Sequence, residues 1–296
     1  MKTKDWTPSE EQKQQWEEHG YFVLRNVVPR DLAIDMRGVI KNELLKPEPE
    51  GRPDVDPMDP MGDTPEAKAL RFRKLGNFCS QAPLIWHNFQ TGAPMLSVAR
   101  HFLGDDIIIK FNSVFVKPGT TGSATPWHQD NGLWRDGETE PFNAWMALDP
   151  ATRENGCMQF IPGSHKTEIV PHVLYEDSLH AELPRERVQE MIDKHGVVHI
   201  EAEPGDVVCW HSTLWHYSPP NPSPNSRIAI AGVWSNPAIN GGLNRPLTKW
   251  GMKNRQICTA FPPEPADFEG GGAAQAGAAQ KDRKHYASQL NQEARK

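Results

Sequence analysis

A chain of 296 residues with 37% hydrophobic side chains buries a substantial core, and its length suits one large domain. The 32 Lys and Arg against 38 Asp and Glu, a formal net charge of −6, exclude the basic footprint that nucleic acid or an anionic membrane surface requires. Four scattered cysteines, Cys79, Cys157, Cys209 and Cys258, form no C-x-x-C pair, which excludes a thiolate zinc site and a redox dithiol and predicts buried free thiols.

The opening stretch MKTKDWTPSEEQKQQW has no apolar h-region, and no later stretch approaches about 18 consecutive apolar residues. A soluble cytoplasmic protein without a membrane partner is expected, with a small molecule as its partner; the sequence does not set the oligomeric state. In TPSEEQKQQWEEHG, Thr7 is placed to cap a helix, with Pro8 at its first position, Glu10 three residues after the cap and Gly20 at its end. YFVLRNVV follows as a strand. PRDLAIDMRGVIKNELL then repeats apolar residues at helical spacing, so an N-terminal helical layer precedes the main body.

Residues 46–64, KPEPEGRPDVDPMDPMGDT, are rich in Pro, Gly and Asp; an irregular loop is expected, a candidate lid over a ligand. A helix is predicted around 83–103. After it come short strands between turns: DIIIKFNSVFVKPG, TPWHQD, PFNAWMALDP, GCMQFIPGSH, EAEPGDVVCWHSTLWHYS and RIAIAGVWS. This spacing predicts a sandwich or open barrel. YEDSLHAELPRERVQEMIDKH interrupts the strands as a charged, partly helical insertion, and the Gly- and Ala-rich end is expected to be a flexible tail.

The stretch PWHQD puts His128 and Asp130 two positions apart, on one side of a strand and able to share a cation. The tripeptide alone proves little, since twelve histidines make about 0.7 His-x-Asp expected by chance. Two His-x-Glu pairs, His180 with Glu182 and His199 with Glu201, are weaker: the first reads as a solvated face and the second has no later ligand at a sensible place. A facial site of two imidazoles and one carboxylate needs a second histidine and leaves three positions open on iron. His211 and His216 both offer one. Arg227 opens a strand whose same-face neighbours are Ala229 and Ala231, small enough to leave room for a bound acid beside its guanidinium.

This arrangement resembles the iron(II)- and 2-oxoglutarate-dependent oxygenases of the phytanoyl-CoA dioxygenase family. The likeness is carried by VFVKPG, WHQDNGLW, AWMALDPATRENGCMQFIPGSH, PGDVVCWHSTLWHYSPPN and RIAIAGVW, about residues 70–235, with GYFVLRNVV as a fitting opening. It implies a mainly β fold with an α-helical layer: a double-stranded β-helix, jelly-roll and cupin-like, over about 105–235 and flanked by N-terminal helices. One oxygenase domain would span 1–265, with 266–296 as the tail. His128, Asp130 and His216 would hold Fe(2+), the eleven residues from His216 to Arg227 favouring His216 over His211. Arg227 would pair with the distal carboxylate of 2-oxoglutarate, Trp145 and Ser218 would line its site, and Lys74 and Ser113 match weaker positions. His165 reads as a supporting residue.

The implied reaction consumes 2-oxoglutarate and O2, releases succinate and CO2, and hydroxylates an unactivated C–H of a small molecule, with ascorbate in support. Related halogenases lack the carboxylate at Asp130, so hydroxylation is the default; desaturation, ring closure or epoxidation are alternatives at the same site. Asn131, Trp134, Arg135, Asn112 and His211 are candidate substrate contacts. A metal-binding jelly-roll module without catalysis is the competing class, which has no reason to keep Arg227 with a complete triad.

Overall fold

The computed structural model describes residues 6–50, 52–55, 64–120, 122–134, 142–178, 180–236, 251–253 and 256–258. The predicted tail at 266–296 and the boundary near 265 lie outside them. Among the described residues no helix is long and apolar enough to cross a membrane.

The chain is mostly β with helices. Its strands are β1 (Tyr21–Leu24), β2 (Arg52–Val55), β3 (Phe72–Gly76), β4 (Ile107–Lys117), β5 (Thr125–His128), β6 (Phe142–Ala147) and β7 (Met158–Phe160). After these come β8 (Val198–Ile200), β9 (Val207–His211), β10 (His216–Ser218), β11 (Arg227–Ser235), β12 (Gly251–Lys253) and β13 (Gln256–Cys258). Nine form one sheet, running β1-β9-β6-β11-β4-β12-β13 with β3 also paired to β4 and β2 to β3; the other four run β5-β10-β7-β8. The pairings from β4 onward are nested and antiparallel: β4 with β11, β5 with β10, β6 with β9, β7 with β8. A long ribbon folded back on itself gives this pattern, and it draws residues far apart in sequence to one end.

Period-two alternation divides the large sheet into two faces. Phe142, Ala144 and Met146 of β6, Val207 and Cys209 of β9, and Ile228 and Ile230 of β11 share a core with Ala33, Met36 and Ile40 of the helix Arg30–Leu44 and Met95, Val98 and Ala99 of the helix Ala93–Leu103. The alternate residues Trp145, Ala147, Val208, Trp210, Ala229 and Ala231 pack instead with Met158, Phe160 and Ile200 of the small sheet. Because β6 and β11 are covered on both faces, every residue in them is buried. The helix Arg185–His195 closes the outer side of the small sheet with Val188 against Ile161 and Trp215. Cys79, Cys157 and Cys209 are buried free thiols, as expected.

Several local expectations are corrected. The first helix, Glu10–His19, is capped by Ser9 rather than Thr7: the Gln12 amide donates to Ser9 Oγ and the Gln12 side chain accepts from the Ser9 amide, a reciprocal pair that Thr7 does not form. Within the expected loop at 46–64, Arg52–Val55 forms β2 on β3; at an outer position Pro53 is tolerated because the side of a strand that faces no partner needs no donor. Residues 51 and 56–63 lie outside the described ones. The helix around 83–103 is broken into Pro83–Ile85, a π turn at Trp86–Gln90 and Ala93–Leu103, because Pro94 has no N–H to continue the ladder and Gly92 lies against the Asn88 carbonyl. Glu182 is buried and bonded to Arg185, so the insertion is not a solvated face there; His199 in β8 is exposed.

The PGD turn ties the large sheet together at its edge. The Gly205 carbonyl accepts from Val27 and Val28, and its N–H donates to Ala147. The carboxylate of Asp206 accepts from the amides of Asn26 and Glu203 and from Arg25. Gly205 has φ of +94°, and a Cβ there would stand 2.1 Å from the Val28 carbonyl oxygen. Gly205→Ala is therefore expected to cost about 1–3 kcal/mol, whereas Gly38→Ala, inside the helix Arg30–Leu44 with open space around it, should stabilise by about 0.5–1 kcal/mol. Urea midpoints with unchanged slopes would read the opposite signs; equal shifts would contradict the account.

Candidate functional site

His128 closes β5 and His216 opens β10, and they are direct partners in the antiparallel register, with ring centroids 4.0 Å apart. Each Nδ1 lies against the carbonyl two residues earlier, Pro126 at 2.8 Å and Leu214 at 2.9 Å. Donation from Nδ1–H to these carbonyls leaves each Nε2 lone pair directed inward. Asp130 Oδ1 stands 3.5 Å from His128 Nε2 and 3.8 Å from His216 Nε2. Its other oxygen accepts from Trp210 Nε1 at 3.1 Å and Asn143 Nδ2 at 3.0 Å.

One carboxylate oxygen is thereby pinned and the other faces both imidazoles. The spacing predicts Asp130 on the strand with His128, and this is corrected: β5 ends at His128 and Asp130 begins the helical turn Asp130–Trp134. The three ligand atoms lie within 4.8 Å of one another, and among the described residues no other three His, Cys, Asp or Glu side chains do so. Burial alone would raise the Asp130 carboxyl, but His216 and His128 and the Trp210 N–H hold it below the usual carboxylate range. Burial, reinforced by His128, lowers His216 to about 4. Two imidazoles whose Nδ1 atoms are turned to carbonyls, beside a carboxylate, are the donor set a divalent metal needs, and two nitrogens with one oxygen on one side suit iron(II).

A second cluster follows along β10. Ser218 lies two residues past His216, about 7 Å along the strand, and its hydroxyl donates to the Gly156 carbonyl at 2.9 Å. Arg227 at the start of β11 donates to the same carbonyl, has Nη2 3.5 Å from Ser218 Oγ and holds Cζ 5.4 Å from the Trp145 ring centroid. Arg227 is only 5% exposed and its Nε has no hydrogen-bond partner; the carboxylate that acts on it, Asp149, is itself paired with Arg37. Burial lowers its pKa to about 10, which still leaves a cation at neutral pH. A buried cation without a counter-anion is costly, so the site fits an anionic ligand.

Ser113 on β4 is opposite Ala231, which is itself opposite Trp145; its buried hydroxyl has no hydrogen-bond partner. Lys74 on β3 is opposite Phe115 and holds Nζ 4.3 Å from the Phe111 ring centroid. Both residues share the inner face with Arg227. Asn131 is buried beside Asp130, its N–H 3.3 Å from the Ser212 carbonyl.

Two candidates fall elsewhere. Asn112 alternates with Ser113 and accepts from the Ser80 amide on the helical side of the large sheet. His211 alternates with Trp210 and packs near Trp16 and His165, with Nδ1 2.7 Å from Thr213 Oγ1. Arg135 and the side chain of Trp134 lie outside the described residues. Sequence reasoning missed Asn143 and Trp210, although Asn143 precedes Trp145 by two on a strand and so shares its face. It also missed Lys117, whose buried ammonium donates to the carbonyls of Ser123, Ser218 and Pro219.

The family model described as phytanoyl-CoA dioxygenase (PhyH) matches residues 16–229. Similar proteins include phytanoyl-CoA dioxygenase 1 of Oryza sativa subsp. japonica, 30% identical over 168 residues, 56% of this chain and 58% of that protein. Ectoine dioxygenase of Sphingopyxis alaskensis is 26% identical over 258 residues, 83% of this chain and 81% of that one. The chain thus spans little more than half of the rice relative and most of the bacterial one. The crystal structure of EctD from S. alaskensis with 2-oxoglutarate and 5-hydroxyectoine has a TM-score of 0.66 at 23% identity, covering 92% of this chain and 89% of that one. The same protein with bound Fe gives 0.66 at 23%, covering 83% and 82%. These structures share the fold.

Buried histidines set an acid limit. Burial holds His165, His172 and His211 at about 4, whereas an unfolded histidine titrates near about 6.5. Between these values the unfolded chain binds more protons, so stability is retained above about pH 6.5 and lost as pH falls toward about 4. The thermal midpoint of the metal-free protein is expected to hold near neutrality and drop through that window. A midpoint flat down to about pH 4.5 would show these imidazoles solvated.

Proposed function

The chain belongs to the phytanoyl-CoA dioxygenase family of iron(II)- and 2-oxoglutarate-dependent dioxygenases, and from that premise we propose that it hydroxylates an unactivated C–H of a small-molecule substrate. The observation that carries this reading is the pairing of a His-Asp-His cluster with a buried arginine whose Nε has no hydrogen-bond partner. A binding module has use for the first and none for the second. The nested strand pairing also supports reading the two sheets as a double-stranded β-helix.

His128 Nε2, Asp130 Oδ1 and His216 Nε2 would hold the metal from one side. When bound there, iron with 2-oxoglutarate and O2 supplies the oxidation of the C–H bond, with succinate and CO2 released. Arg227 binds the distal carboxylate of 2-oxoglutarate, and the Ser218 hydroxyl and the Trp145 ring orient it. Ser113 and Lys74 contribute from the same face. Ala229 and Ala231 keep the wall between Arg227 and the metal low, while Phe160 and Trp210 exclude water from it. Asn143 and Trp210 occupy Asp130 Oδ2, so Asp130 would offer a metal its other oxygen alone.

The substrate enters on the side of the turn that carries Asn131, with Trp134 and Arg135 as further contacts. Phytanoyl-CoA and ectoine dioxygenases bear the names of dissimilar small molecules, so the family does not name the substrate of this chain. Asn112 and His211, on the other face of the large sheet, are not part of this proposal.

Incubation with iron(II), ascorbate and 2-oxoglutarate should release succinate, and products 16 mass units heavier than a screened substrate would identify its partner. Absence of succinate from metal-loaded, folded protein would favour the non-catalytic alternative. Arg227→Ala should weaken 2-oxoglutarate binding by about 2–5 kcal/mol with iron content nearly unchanged; equal affinity in a titration would remove Arg227 from the site. Asp130→Ala should remain folded while losing iron affinity and succinate release. Wild-type turnover in that variant would sink the ligand assignment.

A further inference from the structure

Gln129 separates the two ligands of the His-x-Asp motif and points away from them. Its side chain is fully buried and fully used. Nε2 donates to the Thr213 carbonyl at 3.0 Å and the Glu168 carbonyl at 3.2 Å, and Oε1 accepts from the Val170 amide at 2.8 Å. Its backbone N–H donates to His172 Nε2 at 3.0 Å, while His172 Nδ1 lies 2.9 Å from the Val170 carbonyl. These partners select one tautomer, with Nδ1 protonated and Nε2 accepting.

The same imidazole grips the other side of Asp130. A Cβ on Gly132 would stand 2.0 Å from His172 Cε1 and 2.3 Å from Nδ1, so the turn Asp130–Trp134 packs directly on the ring. Asp130 lies past the end of β5, where no sheet register fixes it. The peptide before it and the turn after it are instead both held by His172. Gln129 adds a tie to Thr213, three residues before His216.

We propose that Gln129 and His172 are positioning residues, a clamp by which the segment 168–172 holds Asp130 in place opposite His128 and His216 and so sets the affinity of the metal site. The proposal rests on reading those three residues as the metal ligands. A purely structural pair would lower stability when mutated without changing metal affinity. A clamp changes both, and the metal term depends on the acceptor at residue 172.

The test is titration of the full-length apo protein with Co(II) alone, read by its visible absorption, with thermal midpoints measured alongside. His172→Leu keeps bulk but removes the acceptor, and Gly132→Ala displaces the ring from the Gln129 amide. Both are expected to bind Co(II) about 10–100-fold more weakly, with an altered spectrum. His172→Gln, whose side-chain oxygen can take the Gln129 N–H, should recover most of the affinity even with a lowered midpoint. Wild-type affinity and spectrum in folded Gly132→Ala, or in His172→Leu, would overturn the clamp; so would a glutamine variant no better than leucine. If the leucine variant does not fold, Gly132→Ala and His172→Gln decide: weak binding in the first with near wild-type binding in the second supports the clamp. Wild type without Co(II) binding, or Asp130→Ala binding as tightly as wild type, would instead overturn the ligand reading and the clamp with it.

Discussion

Everything at the site depends on the register between β5 and β10, which sets His128 directly across from His216. Strand side chains alternate, so a slip of one residue would send one imidazole to the outer face and replace it with Trp127 or Tyr217. Those two aromatics already stack on each other outside, with centroids 5.3 Å apart. The correct register thus satisfies both faces at once, polar ligands within and an aromatic pair without. On the far side of β10, His216 is opposite Phe160 of β7, which fixes it from a second neighbour.

Charge is distributed along the interior by the same economy. Asp130, partly buried, is drawn to ionise by the imidazoles and the indole N–H around it, and Arg227, buried, keeps donor capacity unused at Nε. Lys117 is opposite Arg227 on β4 but differs in kind: three backbone carbonyls take its protons. Its ammonium fastens the loop after β4 to the end of β10. Arg227 differs in that its Nε has no hydrogen-bond partner. Low dielectric between the sheets strengthens whatever ion pair forms there.

The strand-rich body is legible in the sequence because its stretches are regular and strongly patterned, and His128 and Arg227 sit in such stretches, whereas the choice of His216 over His211 rests on the family resemblance. Pattern could have set His211 aside as well: it alternates with Trp210 and falls with Val207 and Cys209 on the helical face. The spacing of His128 and Asp130 is legible, but not its geometry, since a strand and a turn can both bring residues i and i+2 together. Asn143 and Trp210 reach Asp130 from 13 and 80 residues away, and only the folded sheet brings them there. β2 was hidden for another reason: an outer strand needs little apolar content, so Arg52–Val55 resembles the loop around it.

The buried cysteines have a bearing on durability. Burial pushes Cys79 up to about 12 and raises Cys157 and Cys209 as well, so all three stay as thiols near neutrality. Oxidants attack the thiolate far faster than the thiol. A protein that brought iron and O2 together without its substrate would risk oxidising itself, and these three thiols are shielded from that attack. Trp210 is a different case: its indole N–H holds Asp130, so its oxidation would also loosen a metal bound there.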